Sequence, residues 1–189
     1  MKILVCLLAF LTLHTAQASE AEYIELVPAM RLTLQVSAGL ARPSGYLTTA
    51  SSAGAYALGV DLQTGSGLMS FEWTGFAVNH DRGEFPLEVD RRVRVSTYSF
   101  IPQVRLLDGP QWSLFLGLGL SHVNLVQWDP DYAVTYGTFI FSGLLRYQIT
   151  SRWSAHLKSQ WYNVQQSFNN QDTHFEVWNN FLGLGWTFL

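Results

Sequence analysis

The residues able to do chemistry are few and scattered. Cys6, the single cysteine, and His14 fall inside an apolar leader. Four histidines remain beyond it. His80 stands beside Asp81, His122 beside Ser121, His156 two residues after Ser154, and His174 two before Glu176. A serine near a histidine suggests acyl transfer, in which imidazole takes the hydroxyl proton. That chemistry needs both groups on one side of the backbone and within hydrogen-bond reach. Adjacent residues of a strand point to opposite faces, so Ser121 and His122 would not meet. Ser51 can be grouped with His80 and Asp81, but no spacing joins them. Asp129-Pro130-Asp131 lacks the ligand series of a calcium loop and reads as an acidic, solvated loop. No catalytic, metal or cofactor site is expected.

A second set of ionisable residues is more informative. Asp61, Glu72, Arg105, Arg146, His156 and Lys158 each fall on the polar face of an alternating stretch. The pattern is clearest in WSLFLGLGL, from Trp112 to Leu120. Leu114, Leu116, Leu118 and Leu120 share one face, and Phe115, Gly117, Gly119 and then Ser121 share the other. A period of two is a β-strand. The small, nearly uncharged second face suits a narrow barrel interior better than water.

The same alternation recurs along the chain. Strands are expected over 31–41, 54–63, 68–78, 93–107, the stretch beginning at Trp112, 136–149, 152–164 and 174–189. Tight turns are expected at 64–67, 108–110 and 150–151, and longer polar loops at 42–53, 79–92, 124–135 and 165–173. Long and short connections thus alternate around eight strands, as in transmembrane barrels with short periplasmic turns and longer external loops. Tyr56, Trp73, Tyr147, Trp153, Trp161, Trp178 and Trp186 are expected near strand ends, where aromatic girdles belong. Pro102, in the fourth strand, predicts a bulge there or a position low in the strand, because it has no N–H for the ladder.

The chain's address agrees. Lys2, the apolar run from Ile3 to Leu13 and Ala16-Gln17-Ala18 form a signal peptide over 1–18, cleaved after Ala18. Residues 19–30 read as a periplasmic lead-in and 31–189 as the barrel domain. Loss of the leader removes Lys2 and the only cysteine. The formal net charge moves from −3 to about −4, which does not suit a nucleic-acid binder. An exported chain with 13% charged and 14% aromatic residues and no membrane-helix run leaves a closed barrel as the way to satisfy a backbone in lipid. The fold class is therefore all-β, an eight-stranded antiparallel transmembrane β-barrel with up-and-down meander topology.

This pattern resembles the small outer-membrane β-barrel family that includes the OmpA membrane domain and OmpX. The likeness covers the mature chain and is carried by strand pattern and by the ending Gly183-Leu-Gly-Trp-Thr-Phe-Leu189. Family chains typically finish on an aromatic residue read by the assembly machinery. Here Phe188 is penultimate. The chain stops where its last strand stops, so the separate periplasmic domain of full OmpA proteins is expected to be absent. The resemblance implies an outer-membrane location, lipopolysaccharide as surrounding lipid, and the outer-membrane assembly machinery as a partner. Some barrels of this size modify lipid A. The deacylases of PagL type use an outward His-x-Ser pair, whereas Ser154-Ala-His156 is reversed and inward. The palmitoyltransferase-type barrels use His, Asp and Ser near the outer rim, a set without matching spacing here. The expectation is a non-enzymatic barrel acting through external loops or as a structural component, with lipid A modification as the alternative. Arg91 and Arg92 are candidate contacts to lipid phosphates, because guanidinium matches phosphate bidentately. The six inward ionisable residues are expected to pair and plug the lumen, with Glu72 as acceptor for Lys158 or Arg146.

Overall fold

The computed structural model describes residues 30–45, 52–79, 92–127, 133–168 and 171–188. They form eight strands and no helix: β1 (Arg31–Gly45), β2 (Ala53–Thr64), β3 (Gly67–Asn79), β4 (Arg92–Asp108), β5 (Trp112–Gln127), β6 (Ala133–Gln148), β7 (Trp153–Phe168) and β8 (Gln171–Phe188). Each strand runs antiparallel to its neighbours in chain order. β8 returns to pair with β1, from Leu32 opposite Phe188 to Gly45 opposite Phe175. The sheet is thereby a closed meander barrel without a free edge.

Alternation decides which side chains go where. In β1, Leu32, Leu34 and Val36 are exposed while Thr33, Gln35 and Ser37 are buried. The other strands repeat the arrangement, so the exterior is leucine, valine and aromatic, with Val36 62% and Leu182 68% exposed. A continuous apolar sheath of this kind is a lipid surface. Closure supplies every spanning strand with backbone partners on both sides, which lipid requires.

Tryptophans mark the edges of that sheath. Trp153 pairs across the ladder with Trp186, and Trp161 with Trp178. Each stretch between them matches the roughly 9–11 residues that a tilted strand needs to cross a bilayer. Trp161, Trp178 and Trp73 nonetheless stand within their strands, not at the ends as the sequence suggested. The ladders continue beyond them into the external space. β7 and β8 stay paired to Phe168 and Gln171, so most of the loop expected over 165–173 is strand. A strand in water needs no apolar face, and its polar sequence there masked it.

The turns agree better. The two-residue connection between Thr64 and Gly67 uses Gly65 at φ 55°, a left-handed conformation that favours glycine. After β6, Thr150 Oγ1 accepts the Trp153 amide at 3.0 Å and holds the next turn. Pro102 pairs with Met69 of β3, but the ladder to β5 passes from Phe100–Leu120 to Gln103–Gly117 and skips it. The bulge falls further on, between Arg105 and Leu107.

The lumen has layers that the sequence reading missed. At the periplasmic end Leu68, Phe115 and Leu144 make an apolar floor. Toward the external end, inward residues such as Phe76, Val95, Val123, Tyr162, Phe175 and Val177 form a second apolar section. The buried charges stand close to the floor, with Lys158 opposite Leu144 and Arg146 one inward position nearer the turn after β6.

Candidate functional site: the charged section of the lumen

Two hairpins present the charges. The tight turn at Gly65 sets β2 against β3 so that Asp61 stands opposite Ser70, and Gly59 opposite Glu72. The turn after β6 sets Arg146 opposite His156, and Leu144 opposite Lys158. In a ring of eight, β2 lies across from β6 and β3 across from β7. An eight-stranded interior is narrow enough for side chains from facing walls to meet.

They meet as two crossed ion pairs. Arg146 pairs with Asp61, and Lys158 with Glu72. All four side chains are at most 7% exposed. Buried charge is tolerated best when its remaining capacity is also filled, and neutral neighbours fill most of it, although Arg146 Nε has no partner among the described residues. Asp61 accepts from Gln35 Nε2 and, at 2.6 Å, from Ser70 Oγ, which itself receives Gln103 Nε2 at 2.7 Å. Glu72 accepts from Gln160 Nε2 at 2.9 Å. Gln35 ties the pairs together, since its Oε1 also accepts from Lys158 Nζ at 3.3 Å. Arg146 donates to Gln63 Oε1 at 3.3 Å, and its guanidinium carbon lies 5.5 Å from the centre of the Phe115 ring.

The remaining sequence candidates are placed as follows. Arg105 does not join the cluster. It sits at the periplasmic rim beside the bulge, where Asp108 and the Gly65 carbonyl are nearer acceptors. His156 is buried, and its Nε2 lies 2.8 Å from Ser37 Oγ, a serine that sequence reasoning did not single out. The register supplies this contact across β1, β8 and β7, through Ser37 opposite Gly183 and Gly183 opposite His156. A Cβ placed on Gly183 would come within 2.5 Å of both groups, so the two pack closely over that glycine. His156 Nδ1 has no hydrogen-bond partner among the described residues.

Ser121 is buried and His122 exposed, on opposite faces. Arg92 opens β4 and His174 lies in β8. Ser51, His80, Asp81, Arg91, Asp129, Asp131 and residues 1–29, with Ala18, lie outside the described residues. Among the described residues no group of three or more His, Cys, Asp or Glu could hold a metal ion.

No family model and no curated protein matches the chain. Solved structures do. Neisserial surface protein A aligns with TM-score 0.65 at 11% identity, over 83% of this chain and 97% of that one. The outer membrane protein OprG of Pseudomonas aeruginosa aligns with TM-score 0.58 at 12% identity, over 85% and 97%. The attachment invasion locus protein Ail of Yersinia pestis, solved with the heparin analogue sucrose octasulfate, aligns with TM-score 0.53 at 12% identity, over 84% and 99%. At these identities the likeness is one of fold. The chain has the fold of the small eight-stranded outer-membrane barrels, and its apolar exterior is the surface that such a barrel turns to lipid.

Proposed function

We propose that this outer-membrane barrel is non-enzymatic, has a plugged lumen, and acts through its external connections or as a structural component of the membrane. The observation that carries the reading is the pair of ion pairs, Asp61–Arg146 and Glu72–Lys158, crossing a lumen that also holds two packed apolar clusters. A path for ions would have to break both pairs and displace the packed residues around them. Eight strands leave no aqueous channel once side chains fill the interior. Lipopolysaccharide is the proposed lipid neighbour and the outer-membrane assembly machinery the proposed insertion partner, with Arg91 and Arg92 as contacts to lipid phosphate.

The purified barrel in a planar bilayer tests the plug: no steady conductance is expected, and a stable open channel refutes it. Lipid A profiles from cells with and without the protein test the absence of catalysis. Identical acyl-chain patterns are expected, and a reproducible difference overturns the non-enzymatic reading.

A further inference from the structure

We propose that the outer wall of β1–β5 carries a trough that binds an acyl chain of a phosphorylated outer-leaflet lipid of the lipid A type, with Arg94 and His122 at its headgroup end. The proposal rests on the membrane reading of the barrel given above.

The trough is an open groove of about 790 Å³ lined by apolar groups. Two adjacent rungs of directly paired, outward side chains form its sides. The lower is Leu34–Val60–Phe71–Phe100–Leu120, and the upper Val36–Leu58–Trp73–Tyr98–His122. Each rung is braced by its own contacts. Phe71 and Phe100 pack on each other at 4.9 Å within the lower rung. In the upper rung, Trp73 donates its indole N–H to Ser96 Oγ at 2.7 Å and meets the edge of Tyr56 at 5.2 Å, and both partners lie on its external side. Between the rungs the residues face inward, so only backbone forms the floor.

Five strands about 4.8 Å apart make the trough roughly 19 Å long, the scale of an extended acyl chain. It also runs obliquely through the membrane. Leu34 and Val36 lie in the periplasmic half of β1, whereas Leu120 and His122 lie in the external half of β5. A chain in the trough therefore starts at His122 near the outer surface and descends toward the bilayer centre beside β1.

The chemistry at the upper end defines the headgroup. His122 is exposed there, and Arg94 is exposed on the same outer face two outward positions above Tyr98 on β4. Arg94 makes no ion pair with any described residue. Ser96, Asn124 and Thr135 continue this polar strip, with Thr135 Oγ1 donating to Asn124 Oδ1 at 2.7 Å. A guanidinium above an apolar groove, at the external end of a membrane strand, matches an acylated lipid bearing phosphate in the outer leaflet.

Native mass spectrometry of the whole protein in mild detergent tests this with three probes: bisphosphorylated lipid A, dephosphorylated lipid A and phosphatidylglycerol. Wild type is expected to retain bisphosphorylated lipid A about tenfold better than either of the others, the scale of one strong charge-assisted contact. Arg94→Glu combined with His122→Ala should erase that preference. Leu58→Trp, which fills the trough from an outward position, should lower retention of both lipid A forms. Arg42→Glu, an equal charge change on the β1–β8 side outside the trough, should alter neither. Equal retention of all three lipids by wild type, an equal loss from Arg42→Glu, or no loss from Leu58→Trp would overturn the site. The mass of the bound lipid keeps the two readings separate: lipid A short of an acyl chain would overturn the non-enzymatic reading, whichever way the binding comparison falls.

Discussion

Replacing Glu72 by glutamine removes one charge and almost no volume, so it isolates the electrostatic part of the lumen plug. The Glu72 and Lys158 side chains are 2% and 3% exposed. Removing one partner of such a pair strands the other in a confined, poorly solvated space, at a cost of about 3–5 kcal/mol. Two contacts soften the loss. Gln35 Oε1 still accepts from Lys158 at 3.3 Å, and the Phe181 ring remains 5.9 Å from its ammonium. The lower end of the range, about 3 kcal/mol, is therefore expected. With a denaturant slope of about 1–3 kcal/mol per molar urea, the midpoint should fall by roughly 1–3 M. The seven tryptophans report unfolding by fluorescence. Glu72→Gln with Lys158→Met should recover most of the loss, because removing both charges of a buried pair costs little. An unchanged midpoint for the single variant, or a double variant whose loss is the sum of the two singles, would refute the crossed-pair account.

Three further outcomes follow from the geometry. A Cβ at Gly39 would lie 1.9 Å from the backbone oxygen of Asn180 on β8, so Gly39→Ala should strain the closing seam by about 1–3 kcal/mol, seen as loss of the compact, unheated band in gel electrophoresis. Gly65 has open space around it but φ 55°, so Gly65→Ala should cost about 1–2 kcal/mol from backbone conformation alone, measured by the same urea titration. Cysteines introduced at Ser52, Glu84, Asp131 or Asn170 should react with an impermeant reagent on intact cells, and cysteines at Ser66 or Ser151 should not; the reverse pattern would invert the barrel.

Much of the barrel was legible because a membrane strand writes its two environments into alternate residues. Leu32 to Leu40 in β1 and Leu114 to Leu120 in β5 declare their lipid face directly. The reading weakened where lipid no longer imposes that contrast. Beyond Val164 and His174, Gln165, Ser167, Asp172 and Thr173 resemble loop residues, yet the ladder runs on. Inside the external half of the barrel, valines and aromatics occupy the inward face as well, so alternation fades although the strands persist.

The inward positions of Asp61, Glu72, Arg146, His156 and Lys158 follow from sequence alone, because side-chain direction in a strand is a matter of parity. Their partners do not. Whether Glu72 meets Lys158 or Arg146 depends on strand stagger and on which walls face across a closed ring, and those are set by all eight ladders together. The same holds for Ser37 against His156, brought together through β8, and for Arg105, whose local acceptors arise from the bulge beside it. The outer trough is still less visible in sequence. Each of its two sides draws one residue from each of five strands, and no pattern along a single strand records which residues the register brings into one rung.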